Sequence, residues 1–146
     1  MFVKQISVFL ENLPGTLRAL TELLGKGGVD LLALSVADTQ SFGIVRIIIH
    51  SDQIDSAMSI LREGQYIART DGVICAVVPD RPLGLAELLA IIEDAGLSVE
   101  YMYSSYRAGS TGSAYMILRL SDPEKAAQIF TEKNVMILRQ EDVDKL

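Results

Sequence analysis

The chain has no tryptophan, one histidine and one cysteine, and its 13 lysines and arginines are outnumbered by 19 aspartates and glutamates. Each shortage excludes something. Cys75 has no second cysteine to pair with, so no internal disulfide forms. With His50 it gives too few ligands for a structural Cys/His metal site, and no metal is expected. Set among Val73, Ile74, Ala76, Val77 and Val78, its thiol is expected to be buried and inert rather than nucleophilic. The net charge of -6 and isoelectric point near 4.7 argue against nucleic-acid binding, which draws on clustered Lys and Arg to neutralise phosphates. No apolar run reaches the ~18 residues that a membrane helix needs. The first residues, Met1-Phe2-Val3-Lys4-Gln5-Ile6-Ser7, lack the basic region, apolar stretch and cleavage site of a signal peptide. The expectation is a cytoplasmic protein without a membrane partner.

Catalysis finds little support. His50 lies between the strand-like Ile47-Ile48-Ile49 and the helix start Ser51-Asp52, with no nucleophile near it in sequence. The carboxylates Glu22, Glu87, Glu93, Asp94 and Glu132 sit where helices turn polar faces to water. Leu24-Gly25-Lys26-Gly27 resembles part of a phosphate-binding loop but lacks the earlier glycine and the hydroxyl residue after lysine. It also follows a helix, where such a loop precedes one. The chain is not expected to be an enzyme, and no cofactor is expected.

Apolar residues make up 49% of the sequence, enough to fill a core, and the length suits one ordinary domain or two very small ones. The arrangement of those residues repeats. Sliding the sequence along itself without a gap until Pro14 meets Pro82 also brings Leu17 to Leu85, Leu20 to Leu88 and Gly28 to Gly96. Asn12 then meets Asp80, Leu23 meets Ile91, Leu24 meets Ile92 and Val29 meets Leu97. Two copies of one unit are implied, residues 1–70 and 71–146.

Each copy reads in the same order. Lys4 to Leu10, and Cys75 to Val78, read as strands. Helices follow with Leu17, Leu20, Leu23 and Leu24 on one face, or Leu85, Leu88, Leu89 and Ile92. They end at Gly25-Lys26-Gly27-Gly28 and at Gly96. Paired strands come next: Val29 to Ala37 and Ile44 to Ile49 across Asp38-Thr39-Gln40-Ser41, then Leu97 to Tyr106 and Ala114 to Leu120 across Gly109-Ser110-Thr111-Gly112. A second helix carries Ile54, Ala57, Met58 and Leu61; its counterpart opens at Asp122-Pro123, an N-cap followed by proline. Short strands, Tyr66 to Arg69 and Val135 to Arg139, close the copies. The order βαββαβ, twice, is that of the α+β ferredoxin-like fold, an antiparallel sheet with both helices on one face. About 70 residues make a marginal core, and the other sheet face would be bare. The halves are therefore expected to pack together and the chain to form a homodimer.

The corner Asn12-Leu13-Pro14-Gly15-Thr16-Leu17 has two readings. Asn and Pro at a helix start are ordinary helix-start chemistry. Gly15, however, would cost up to ~1 kcal/mol relative to Ala within a first turn, which makes sense if something must approach the backbone. A helix start offers unpaired N–H groups to a carboxylate, and the Asn12 oxygen can accept from an ammonium group.

This corner, with Gly28-Val29-Asp30-Leu31 beyond the helix, resembles the ACT domain, a small regulatory module that binds amino acids, and the whole chain is similar to a stand-alone tandem ACT protein. The resemblance implies an amino acid held between modules by Asn12, Leu13, Pro14, Gly15, Thr16 and Leu17, with Val29, Asp30 and Leu31 of a neighbouring second strand. It implies that the edge strands Val29 to Ala37 and Leu97 to Ser105 pair, joining two sheets into one of eight strands. In the second copy Asp80, Pro82, Leu83 and Gly84 take the corner's place. Leu83 replaces Gly15, so the second pocket is expected to be blocked or reshaped. Strand alternation puts Tyr101, Tyr103 and Ser105 on one sheet face and Glu100, Met102, Ser104 and Tyr106 on the other. In the functional reading Met102 and Ser104 face the helices and the ligand, lining a side-chain pocket. The alternative is that these aromatics only pack. The expected function is amino-acid sensing that changes a surface read by a regulated enzyme. The rivals are a small regulatory subunit of an enzyme such as acetolactate synthase, and a purely structural pairing module.

Overall fold

In the computed structural model, residues 2–38, 41–107 and 112–146 are described. Thr39 and Gln40 of the first expected hairpin turn, and Gly109, Ser110 and Thr111 of the second, lie outside them. The chain divides into two compact units, Lys4–Asp71 and Met1–Val3 with Gly72–Leu146.

The N-terminal unit is built from β1 (Val3–Glu11), α1 (Thr16–Lys26), β2 (Leu31–Asp38), β3 (Phe42–Ile49), a single 3₁₀ turn at Ser51–Gln53, α2 (Ile54–Glu63) and the first part of β4 (Ile67–Pro79). Its strands lie in the order β2-β3-β1-β4, with β1 and β2 both antiparallel to β3. Alternation along β1 sends Ile6, Val8 and Leu10 into a core with Leu20 and Leu24 of α1, Val45 and Ile47 of β3, and Ile54, Ala57 and Leu61 of α2. Both helices thus cover one sheet face, as the leucine spacing dictates. Each fully buried Leu or Ile contributes roughly 1.5–3 kcal/mol. The intervening β1 residues Gln5 and Ser7 are buried too. Gln5 Nε2 donates to Ser7 Oγ at 3.2 Å, and Ser7 Oγ donates to Asp71 Oδ2 at 3.0 Å. Burial without such partners would be costly.

The C-terminal unit repeats the plan with the second part of β4, α3 (Gly84–Asp94), β5 (Val99–Ser104), β6 (Ser113–Leu120), α4 (Pro123–Glu132) and β7 (Ile137–Leu138). Its order is β5-β6-β4-β7. Ile74, Ala76 and Val78 meet Leu88, Ile92, Leu118, Leu120, Ala126, Ala127 and Phe130. The repeated ferredoxin-like order is the one the sequence implies.

Several elements differ in extent. The two short strands expected at Tyr66 to Arg69 and Cys75 to Val78 are one strand, β4, so seven strands rather than eight are present among the described residues. β2 and β5 start two residues late. The left-handed Gly28 (φ +79°) turns the chain out of α1, and Gln53 holds the turn by accepting from Asp30 N and donating to the Gly28 carbonyl. β7 keeps two residues, because a short helix α5 (Gln140–Val143) follows it. That helix is started by Asp142 Oδ2 accepting from Arg139 N at 2.9 Å and anchored by buried Val143. The expected Asp122 cap is present: its carboxylate accepts from Lys125 N, with Pro123 in the first turn. Cys75 is buried, and desolvation pushes its thiol up to about 12, so it stays protonated and unreactive.

Candidate functional site

β1 ends at Glu11, and the chain reaches α1 through Asn12, Leu13, Pro14 and Gly15. Gly15, not Asn12, is the N-cap of α1. It sits at φ +85°, ψ -8°, and no side chain caps it. A Cβ there would meet nothing within 4 Å. The glycine therefore answers a left-handed backbone position, not the first-turn cost or the close approach inferred from the sequence. The corner is braced from within: Leu13 N donates to the Glu11 carbonyl at 2.9 Å, and the Thr16 hydroxyl reaches the carbonyls of Glu11 and Leu13 at 2.8 and 2.9 Å. Asn12, Leu13, Pro14 and Gly15 are exposed; Thr16 and Leu17 are half-buried. Thr16 N donates to the Leu13 carbonyl at 3.3 Å. Since Gly15 has no side chain to turn back on the helix, no cap closes off the amides that follow it in the first turn of α1.

A cavity of about 150 Å³ opens beside this corner, lined by Asn12, Leu13, Gly15, Thr16 and Leu17 together with Leu10, Glu11, Val36, Gly43 and Val45. The sequence did not single out Val36, Gly43 and Val45. They arrive by the register of β2 and β3, where Val36 pairs with Val45, which no local pattern of the sequence announces. Neither Lys nor Arg is among the lining residues. Val29, Asp30 and Leu31 lie beyond the far end of α1. Val29 is buried in the core, and the Asp30 amide is held by Gln53.

The second corner has the same backbone and different needs. Leu83 takes the position of Gly15 at φ +70°, ψ -8°, again as an uncapped N-cap, and is 72% exposed. A non-glycine residue in that conformation is strained. Gly84 is not a displaced copy of Gly15: it is buried, its φ is not among the positive ones, and a Cβ on it would overlap the Pro79 carbonyl oxygen. Asp80 and Pro82 are exposed. Arg81 forms a two-point ion pair with Glu87, at 3.1 and 2.8 Å, which raises the Arg81 pKa through that hydrogen bond and the adjacent charge.

A cavity of about 360 Å³ in this unit takes in Gly84 but not Asp80, Pro82 or Leu83; Glu87, Leu88, Asn134, Val135 and Met136 are among its walls. Met102 packs against the core, and Ser104 is exposed opposite Met116. Neither lines this cavity. Tyr101 and Tyr103 pair with Arg119 and Ile117. Among the described residues no group of three or more His, Cys, Asp or Glu side chains could hold a metal ion, and no helix is long and apolar enough to cross a membrane.

The family model described as an ACT domain pair matches residues 1–146. Among solved structures, protein BT0572 from Bacteroides thetaiotaomicron is 34% identical, with a TM-score of 0.88 over 100% of this chain and 98% of that one. The ligand-free regulatory subunit of aspartate kinase from Thermus thermophilus is 15% identical, with a TM-score of 0.64 over 88% and 90% of the two chains. The corresponding subunit from Thermus flavus is 14% identical, with a TM-score of 0.61 over the same shares. These last two are likenesses of fold. No curated protein matches the sequence.

Proposed function

Because the chain belongs to the ACT domain family, as a pair of such domains, we propose that it is a sensor of free amino acids and regulates another protein rather than catalysing a reaction. What carries this reading is the start of α1, where a helix with no capping side chain opens beside a small, mostly apolar cavity. The α-carboxylate sits on the first-turn amides, which carry the positive end of the helix dipole. The Asn12 oxygen accepts from the α-ammonium. Leu10, Leu17, Val36 and Val45 surround the side chain, and about 150 Å³ is well below the ~300 Å³ at which drug-sized pockets begin, so the side chain is small.

The cavity is closed by the second strand of a neighbouring module, which begins at Leu31, in a cytoplasmic homodimer whose edge strands pair. Val29, buried in its own unit's core, and Asp30 precede that strand and take no part. The second corner, with Asp80, Pro82, Leu83 and Gly84, is the lesser site, because a leucine side chain stands where Gly15 leaves the backbone bare. Binding that favours one packing of modules over another is sufficient for regulation.

Calorimetric titration of the twenty amino acids, on the wild type and on Asn12→Ala, tests this. A small amino acid should bind, and the variant should weaken it about tenfold, the worth of one charge-assisted hydrogen bond. Unchanged affinity would remove Asn12 from the site. A second reading, a regulatory subunit dedicated to one amino-acid biosynthetic enzyme such as acetolactate synthase, draws on the fold shared with an aspartate kinase regulatory subunit. Co-purification of a large thiamine-diphosphate enzyme would favour it over the free sensor.

A further inference from the structure

We propose that the C-terminal unit holds a second amino-acid site, separate from either corner, in the cavity between α3, the end of β4 and the segment leading into β7, and that it takes an aliphatic amino acid larger than the first site admits. The cavity measures about 360 Å³, more than twice the one beside Gly15. Its floor is apolar: Val78 and Leu88 belong to the core, with Ile91, Val135 and Met136 around them. Met136 is 65% exposed, so apolar surface stands open at the mouth.

Glu87 supplies the charge. It lines the cavity, and Arg81 fixes its carboxylate through two hydrogen bonds. Both side chains remain about half exposed, so neither is closed to a further partner. An α-amino acid presents an ammonium and a carboxylate side by side. Arg81 does not itself line the cavity, and its Nη1 also donates to the Pro82 carbonyl. An amino acid laid across Glu87 puts its ammonium on that carboxylate and its own carboxylate on the side of the Arg81 guanidinium that remains open, which suits planar two-point recognition. Its side chain then points into the apolar floor. A leucine or methionine side chain fits that trough, whereas a charged one would be desolvated there without a partner.

The other half of the molecule provides a contrast. The N-terminal unit has a groove in the corresponding place, about 580 Å³, lined by Phe9, Thr16, Ala19, Phe42, Tyr66 and Ile67 among others. By the gap-free repeat, Ala19 stands where Glu87 does and Leu13 where Arg81 does. Glu11 and Gln65 line that groove as well, but it has no counterpart of the Arg81–Glu87 pair, so the amino-acid site belongs to the C-terminal unit.

Methyl-resolved NMR with L-leucine as the probe tests this on the full chain. The Ile91, Val135 and Met136 methyls should shift with saturable dependence on concentration. Glu87→Gln, at an exposed position, should weaken that response about tenfold. Leucinamide, which lacks the carboxylate charge, should bind more weakly than leucine to the wild type but no more weakly to Arg81→Gln. Methyls that do not move, or an unaltered affinity in Glu87→Gln, would overturn the proposal. So would loss of the response in Asn12→Ala, which would assign it to the first corner and leave the sensor reading standing. If the three methyls respond while no amino acid perturbs Asn12 or Thr16, the sensor reading fails at its corner and this site stands.

Discussion

Three residues at the helix starts show how differently a small change of side chain is read by the backbone. Gly15 and Leu83 share one conformation, φ +85° and +70° with ψ -8° in both, and only the glycine adopts it freely. Left-handed backbone at Leu83 costs ~1–2 kcal/mol, and Leu83, largely exposed, recovers little of that by packing. Leu83→Gly should therefore stabilise the protein by about 0.5–1 kcal/mol after the added flexibility of the unfolded chain is subtracted. Gly84→Ala should do the reverse, losing about 1–3 kcal/mol as the new methyl is forced against the Pro79 carbonyl. Urea unfolding of the two variants beside the wild type measures both; a destabilised Leu83→Gly would show that Leu83 is held by contacts worth more than its strain. That the corner is special was legible in Asn-Leu-Pro-Gly. Its reason was not, because a glycine needed for a positive φ and one needed for space look alike in sequence.

Among elements, the contrast lies in how helices begin. α4 has Asp122 accepting from Lys125 N at 3.1 Å, a cap that Asp-Pro announces in the sequence. α1 and α3 start on residues whose side chains cap nothing. Asp122→Ala should cost about 1 kcal/mol, lowering Tm by about 2–4 °C in a chain of this size. A thermal melt that leaves Tm unchanged would mean water replaces the carboxylate. The order of elements was readable because alternation and leucine spacing are local. The continuity of β4 was not: Thr70-Asp71-Gly72 looks like a break, yet Asp71 is a hydrogen-bond partner of Ser7 and the strand runs on. α5 is four residues long, too short to show a helical period.

At the scale of the whole molecule, the pair of βαββαβ units follows from a repeat visible in one sequence, while both cavities depend on residues brought together from distant segments. Val36 and Val45 reach the first corner only through strand register, and Met136 joins Glu87 only through the return of β7 to β4. A site completed by a second copy of the chain has a consequence that no single-chain site shares. If the strand that closes the first corner comes from the partner, ligand binding and dimerisation are linked, and each must strengthen the other by the same factor. Adding the amino acid should then tighten the dimer in sedimentation equilibrium, and diluting the protein below its dimer Kd should weaken amino-acid affinity in proportion. At a free concentration of about one hundred times Kd the linkage is worth up to ~2.7 kcal/mol per site, so two sites that exist only in the dimer tighten dimerisation by up to about four orders of magnitude. Asn12→Ala should uncouple the two equilibria while leaving the dimer intact in the absence of ligand. Affinity that stays constant across dilution through the monomer–dimer transition would place the whole of the first site within one protomer.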